Sequence, residues 1–376
     1  PSFGGRPPFH SVVVRIPVQG LDFENQVQNP NFAKLMKSLD ALNSFLTTPK
    51  KIVITHHYNA DADALGSSLG LFHYLNQKGH QCVVISPNSM ADFLLWMPGA
   101  REVLLFDKHA EACKKAVSEA DVLFSLDFNQ FSRTKFLAPV LEQSNAVKVI
   151  IDHHLFPDDV FEYGLSLPNK SSTCEMVYDY ILSSNDEHLL NLDIARCLYA
   201  GVMTDTGSFR FSCTTPGVHR MVAHLMEKGL ETAAIHTAVF DNYQENRLRF
   251  LGFVLSERLH LIPEAHTAII AVSRNDLNRF NVNTGDSEGI VNYPLSMKQV
   301  LFSIFISERE DEIRMSFRSK GRFNVNEFAR KYFQGGGHHN AAGGKSERSL
   351  QQTFELLIQY IQENQTLLQS CYAESL

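Results

Sequence analysis

From about Asn31 the chain alternates between short apolar runs, read as strands, and longer stretches read as helices. Lys51–Thr55 is a five-residue apolar strand, and a helix over Ala64–Lys78 follows it, with Gly79 as its stop. Gln81–Ser86, Val122–Leu126 and Val147–Ile151 repeat the strand pattern, with a helical stretch near Ala110–Glu119 between the second and third runs. Continuous apolar strands separated by helices predict a parallel sheet covered on both faces, an α/β fold with a doubly wound, mostly parallel sheet. Helices are expected over Ser172–Leu182, Asp193–Met203, Pro216–Lys228 and Gln244–Leu259. Beyond His260 the texture changes. Thr267–Val272, Val300–Ser307 and Glu312–Ser319 read as strands, Gly335–Gly344 as a glycine-rich loop, and Leu350–Leu367 as an amphipathic helix. A domain boundary near residue 240 divides a region 31–240 from a smaller region 241–376. Residues 1–30, rich in Gly, Pro and Asn with one β-like patch at Val12–Ile16, read as an extension.

Composition narrows the class. The 376 residues are 44% hydrophobic and 20% charged, enough for globular cores. No apolar run approaches the roughly 20 residues that span a bilayer, and the start has no basic stretch followed by an apolar core. The net charge of −7 argues against a protein that coats long duplex DNA, while leaving room for small anionic ligands at a local positive patch. The six cysteines are scattered without a Cys-x-x-Cys pair, so reduced thiols in a cytoplasmic protein are expected.

Chemistry concentrates where the strands end. Lys51–Thr55 runs into His56-His57-Tyr58-Asn59-Ala60-Asp61-Ala62-Asp63, placing His57, Asp61 and Asp63 in the loop that opens a helix. In a doubly wound sheet, ligands bind beyond the carboxyl ends of the strands. Imidazole and carboxylate donors suit Mn²⁺, Mg²⁺ or Zn²⁺. The competing reading makes Asp63 an N-cap and Asp61 a turn residue. Val122–Leu126 ends in Asp127, with Asn129 and Arg133 after it, and Val147–Ile151 ends in Asp152-His153-His154. Three strands that each deliver Asp or His at one edge are hard to attribute to packing. Asp205, in Thr204-Asp205-Thr206-Gly207, has the surroundings of a cap or turn, and its claim rests on the company it keeps in the fold. Arg314, Arg318, Lys320, Arg322, Arg330, Lys331 and Lys345 face a single acid, Glu327, between 314 and 345, next to Gly335–Gly337, whose amides could approach a phosphate.

The series His57-x3-Asp61-x-Asp63, Asp127, Asp152-His153-His154, Asp205 resembles the DHH phosphoesterase superfamily. Gly335-Gly336-Gly337-His338-His339-Asn340-Ala341-Ala342-Gly343 resembles the motif of its smaller companion domain, DHHA1. Length and layout are similar to the nanoRNase/pAp phosphatase group. Two departures stand out: Ala62 where the family often has Gly, and Gln334 ahead of three glycines where it often has four. The resemblance implies an N-terminal DHH domain, a C-terminal α/β DHHA1 domain and an active-site cleft between them. It further implies two divalent metal ions, manganese before magnesium. One would be held by His57, Asp61 and Asp127, the other by Asp63, Asp127, His153 and Asp205. A shared carboxylate fits, because dications about 3.5–4 Å apart repel strongly. Asp152 would orient a ligand histidine, and His154 would contact phosphoryl oxygens or assist the leaving group. Arg133, Arg318, Gly336, Gly337 and His338 would hold the substrate.

The expected activity is hydrolysis of very short single-stranded oligoribonucleotides to mononucleotides, and removal of the 3′-phosphate of adenosine 3′,5′-bisphosphate (pAp). Long duplexes and membranes are not expected partners, and both a monomer and a homodimer stay open. Alternatives are a cyclic-dinucleotide or pApA phosphodiesterase, an exopolyphosphatase or pyrophosphatase, and a non-catalytic oligonucleotide-binding protein on the same fold. The filled ligand positions argue against the last.

Overall fold

The computed structural model describes residues 39–241, 244–283 and 285–374. The extension 1–30 and its patch at Val12–Ile16 lie outside the described residues. After α1 (Leu39–Phe45), the first sheet is built from β1 (Lys51–Thr55), β2 (Gln81–Ser86), β3 (Leu104–Leu105), β4 (Val122–Leu126), β5 (Val147–Asp152) and β6 (Tyr163–Ser166). Its order is β3-β2-β1-β4-β5-β6, with every neighbouring pair parallel. The chain reverses its direction of growth between β1 and β4. That switch point opens a crevice beyond the strand ends.

Helices cover both faces, as the unbroken apolar strands require. One face packs on α2 (Ala62–Gln77), α5 (Thr173–Ser183), α6 (Leu192–Asp205), α7 (Pro216–Glu227) and α8 (Thr232–Phe240) around Leu65, Leu69, Phe124, Met176 and Leu198. The other packs on α3 (Phe106–Ser118) and α4 (Ala138–Glu142) around Val53, Cys113, Leu123 and Leu141. Helices α2 and α6 approach closely because Gly201 faces α2: a Cβ there would stand 2.8 Å from Asp63 Oδ1 and 2.3 Å from Cys174 Sγ.

The second sheet has the order β11-β12-β10-β9-β8-β7, from β7 (Leu259–Ile262), β8 (Thr267–Val272), β9 (Phe302–Glu308), β10 (Ile313–Ser319), β11 (Gly336–Gly337) and β12 (Ala341–Ser346). All its pairs are antiparallel except β8–β9. It packs on α9 (Glu245–Glu257) and α10 (Arg274–Arg279) on one side, and on α11 (Val325–Phe333), α12 (Leu350–Glu363) and α13 (Gln365–Ala373) on the other.

Two sequence expectations change here. The stretch Gly335–Gly344 is a hairpin rather than a loop: His338 and Ala341 exchange backbone hydrogen bonds at its tip, and β12 pairs with β10 from Ile313↔Ser346 to Arg318↔Ala341. The terminal helix breaks at Asn364, whose side chain bonds Tyr360 O and Tyr332 Oη. Among the described residues, no helix is long and apolar enough to cross a membrane.

Candidate active site

The loop leaving β1 is fixed by its own capping chemistry. Asp61, not Asp63, is the N-cap of α2: Oδ1 accepts from the amides of Asp63 and Ala64 at 3.0 and 2.9 Å. That leaves Asp61 Oδ2 turned toward His57 Nε2, 3.7 Å away. His57 Nδ1 bonds Tyr58 O at 3.0 Å, which aims Nε2 inward. Asp63 sits in the first turn of α2, yet its carboxylate caps a different helix. Thr173 and Cys174, at the start of α5, donate their amides to Oδ2 and Oδ1 at 2.7 and 2.8 Å.

Asp127 follows β4 directly and lies in the left-handed region, at φ 60°, a conformation that Asp tolerates better than most residues. Its two oxygens face two different histidines. Oδ2 lies 3.3 Å from His57 Nε2, and Oδ1 lies 3.4 Å from His153 Nε2. The Thr173 hydroxyl donates to Oδ1 at 3.0 Å. Beyond Asp127, His153 Nε2 stands 3.8 Å from Asp63 and 3.5 Å from Asp205, and its Nδ1 bonds Lys170 O. Asp205 is the last residue of α6 rather than a turn residue, so its carboxylate stands at the negative end of a helix. The ligand atoms of His57, Asp61 and Asp127 converge within 4.8 Å of one another, as do those of Asp63, His153 and Asp205.

The electrostatics of these groups call for added positive charge. Burial and then the Asp127 carboxylate push Asp63 up to about 7. Burial, Asp63 and Asp61 push Asp205 well above the usual carboxylate range. Burial works against ionisation of Asp127 too, but its bonds to His153 and His57 hold it well below that range. The same bonds raise His57 to about 10 and His153 well above its ordinary value, against the pull of burial. Carboxylate oxygens and two Nε2 atoms, with both Nδ1 atoms fixed by carbonyls, are a donor set that fits divalent cations.

The remaining expected residues divide into those at the cluster and those spent elsewhere. Asp152 is fully buried, and its Oδ1 lies 2.7 Å from His154 Nδ1. It therefore orients His154, while His153 is oriented by the Lys170 carbonyl, a correction to the expected role of Asp152. Burial lowers His154 from its usual value despite Asp152. His338, at the hairpin tip, crosses from the second sheet to stand with its ring centre 4.5 Å from that of His154 and 4.6 Å from that of His153. Burial, His154 and His153 lower it to about 2, with Arg133 adding to the effect. Arg133 is half-buried, and its carbonyl accepts from the Tyr58 amide. Burial lowers Arg318, on β10, against the pull of Glu288, Asp205 and Asp61.

The expected phosphate cradle and basic patch are smaller than the sequence implies. The amides of Gly335, Gly337 and His338 already donate to Ala329 O, Asn326 Oδ1 and Ala341 O. Gly337 serves close packing, since a Cβ there would meet Ala341 O at 2.4 Å. Gly336 is exposed, opposite Gly343. Arg314 and Arg322 pair with Glu312 and Glu374, and Lys320 bonds the Leu295 and Met297 carbonyls. Sequence reasoning missed Thr173, Lys170 and Glu288. The Ser171-Ser172-Thr173 run is a helix-start signal that marks the first. Glu288 stands in a Gly- and Asn-containing segment with no comparable signal.

A parallel sheet with an acid–histidine cluster at its switch point, met by a histidine from the glycine hairpin of a second sheet, defines a two-part phosphoesterase architecture. The chain belongs to the DHH family: residues 51–202 match the DHH family N-terminal domain, and residues 266–363 match the DHHA1 domain. It is 30% identical over 320 residues to the bifunctional oligoribonuclease and PAP phosphatase NrnA of Thermus thermophilus, covering 84% of this chain and 90% of that protein. It is 25% identical over 293 residues to the protein of the same name from Bacillus subtilis, covering 78% and 88%. Among solved structures, an exopolyphosphatase-related protein from Bacteroides fragilis superposes with a TM-score of 0.84 at 37% identity, covering 88% of this chain and 97% of that one.

Proposed function

We propose that this chain is a cytoplasmic, metal-dependent phosphoesterase that cleaves very short oligoribonucleotides to mononucleotides and removes the 3′-phosphate of pAp. The observation that carries the reading is the Asp127 carboxylate, with one oxygen toward His57 and the other toward His153, 3.3 and 3.4 Å away. His57, Asp61 and Asp127 would hold one cation, and Asp63, Asp127, His153 and Asp205 a second, manganese before magnesium. Such a pair supplies an activated water and charge for the phosphoryl oxygens. Residues 31–240 form the catalytic domain in this reading, and residues 241–376 the substrate-binding domain. The names of the relatives at 25–30% identity support the substrate class.

The chain's own residues account for orientation and proton handling. With Nδ1 of His154 engaged by Asp152, Nε2 is the ring atom that exchanges a proton. Both reactions expel a ribose 3′-oxygen; neutral His154, held through Nδ1 by Asp152, takes the proton released by the attacking water on Nε2 and passes it to that oxygen. Arg318, Arg133 and His338 bind the substrate phosphates, fixing which phosphorus faces the nucleophile. The deciding assay is a panel with Mn²⁺ of pAp, pApA, di- to pentanucleotide RNA, cyclic dinucleotides and polyphosphate. Fastest turnover of the short RNAs and pAp is expected. Preferred hydrolysis of polyphosphate or cyclic dinucleotides would overturn the substrate assignment.

A further inference from the structure

The segment that delivers His153 and His154 continues into Leu155 and Phe156, which are 38% and 59% exposed. Large apolar side chains held this open need a reason. Phe156 has φ 64°, an outlier for a bulky residue. The strain is held by Asn129, just past β4, whose side-chain amide donates to both the Leu155 and Phe156 carbonyls. The Asn129 carbonyl accepts from the Asp158 amide, and Gln130 Nε2 bonds Asp158 Oδ1, so the turn is braced on two sides. A strained residue fixed this firmly beside an active site points to a function for its side chain.

The Phe156 ring meets Arg330, on α11 of the second domain, whose guanidinium carbon lies 5.0 Å from the ring centre. Arg330 has no carboxylate partner among the described residues, unlike Arg314 and Arg322. The two segments that meet here also bring His154 and His338 together, so the cleft is bridged twice along one edge. At another point Gly285 lies against Ala91 and Phe93 of the first domain. The two domains thus touch at more than one point around the metal-ligand cluster.

We propose that Phe156 and Arg330 form a cation–π clasp across the mouth of the cleft, and that this clasp sets the longest RNA the site accepts. The inference rests on the oligoribonuclease reading and deepens it. With the clasp closed, a substrate of two or three nucleotides is expected to end short of it. A longer chain has to part the clasp to leave its remaining nucleotides in solvent. Both side chains are exposed, so truncating either leaves the cores intact.

The experiment measures single-turnover rates with Mn²⁺ on 5′-labelled RNAs of 3 and 24 nucleotides, for wild type, Phe156→Ala, Arg330→Ala and the conservative Phe156→Tyr. The 24-mer to 3-mer rate ratio is expected to rise about threefold or more in both alanine variants, the scale of one exposed cation–π contact, and to stay at the wild-type value in Phe156→Tyr. Turnover of the 3-mer persists in all of them. An active wild type with an unchanged ratio in both alanine variants overturns the clasp. So does a ratio that rises in Phe156→Tyr as much as in Phe156→Ala, because a ring would then not be what matters. A wild type that cleaves neither RNA overturns the oligoribonuclease reading and the clasp's role with it, an outcome distinct from the other two.

Discussion

Asp63 and Asp276 are both buried aspartates, one in each half of the molecule, at 0% and 6% exposure. Burial raises both carboxyls, and their neighbours then decide. Asp276 accepts two bonds from the Arg258 guanidinium, at 2.8 and 2.9 Å, and bonds from the Ser273 amide and hydroxyl in a capping box that starts α10. These hold it below the usual carboxylate range. Asp63 has two helix amides but, among the described residues, no guanidinium or ammonium partner; His153 stands 3.8 Å away, and burial and then Asp127 push the Asp63 carboxyl up to about 7. One acid is completed by the chain itself. The other is left short of charge in a cluster of its own kind, the arrangement expected where a cation from solution completes the site.

The largest test of that contrast is Asp127→Ala. Losing the carboxylate that faces both histidines should lower kcat at least about 10³-fold while the far-UV spectrum is retained, in a Mn²⁺ assay paired with circular dichroism. Retained turnover at saturating Mn²⁺ would remove Asp127 from its bridging place.

Stability against pH sharpens the comparison. A carboxyl raised to about 7 binds a proton in the folded state that the unfolded state releases near 4, so folding loses stability as pH rises across that window. His57, raised to about 10, acts in the same direction above its unfolded value. Metal-free protein should therefore lose roughly 1–4 kcal/mol between pH 5 and pH 8, and Mn²⁺ should abolish the loss. Denaturant titrations at both pH values check this; equal slopes with and without metal would contradict it.

Asp276 carries the opposite sign. Its depressed value means stability that is present above the unfolded pKa and lost as pH falls through the folded one. Asp276→Asn should cost about 1–2 kcal/mol at neutral pH, independently of Mn²⁺, with the gap from wild type closing below about pH 4. Urea midpoints across that range measure it. Turnover should not change.

The sequence located the strand-end chemistry well, because β1, β4 and β5 are uninterrupted apolar runs and their last residues stand out as polar. It did not show what holds those residues. Lys170 and Thr173 act on His153, Asp127 and Asp63 through a helix start that only the folded chain brings near, and the Asp152–His154 pairing depends on which way adjacent side chains turn. Strand β6 was hidden because Tyr163–Ser166 is short and contains Gly164, and β3 because it is two residues long. The basic run 314–345 misled for a periodic reason. On β10, Arg314 and Arg318 share one face while Met315 and Phe317 are buried on the other, and of these two arginines Arg314 is paired with Glu312 while Arg318 feels the charges of Asp205 and Asp61.

Gln334, the departure ahead of the glycines, has a local explanation. It is the C-cap of α11 at φ 47°, a conformation that glycine adopts without strain. Gln334→Gly should stabilise the fold by about 1 kcal/mol, the smallest of these effects, read as a higher thermal midpoint with turnover unchanged. A lower midpoint would mean that the glutamine side chain contributes more than its backbone costs.

In the function proposed above, the Asp127 cluster holds two cations. Anomalous diffraction at the manganese edge, from crystals grown with Mn²⁺, tests it directly. Two peaks are predicted about 3.5–4 Å apart, with Asp127 between them, His57 and Asp61 on one, and Asp63, His153 and Asp205 on the other. A single peak, or two peaks that do not share Asp127, would contradict it.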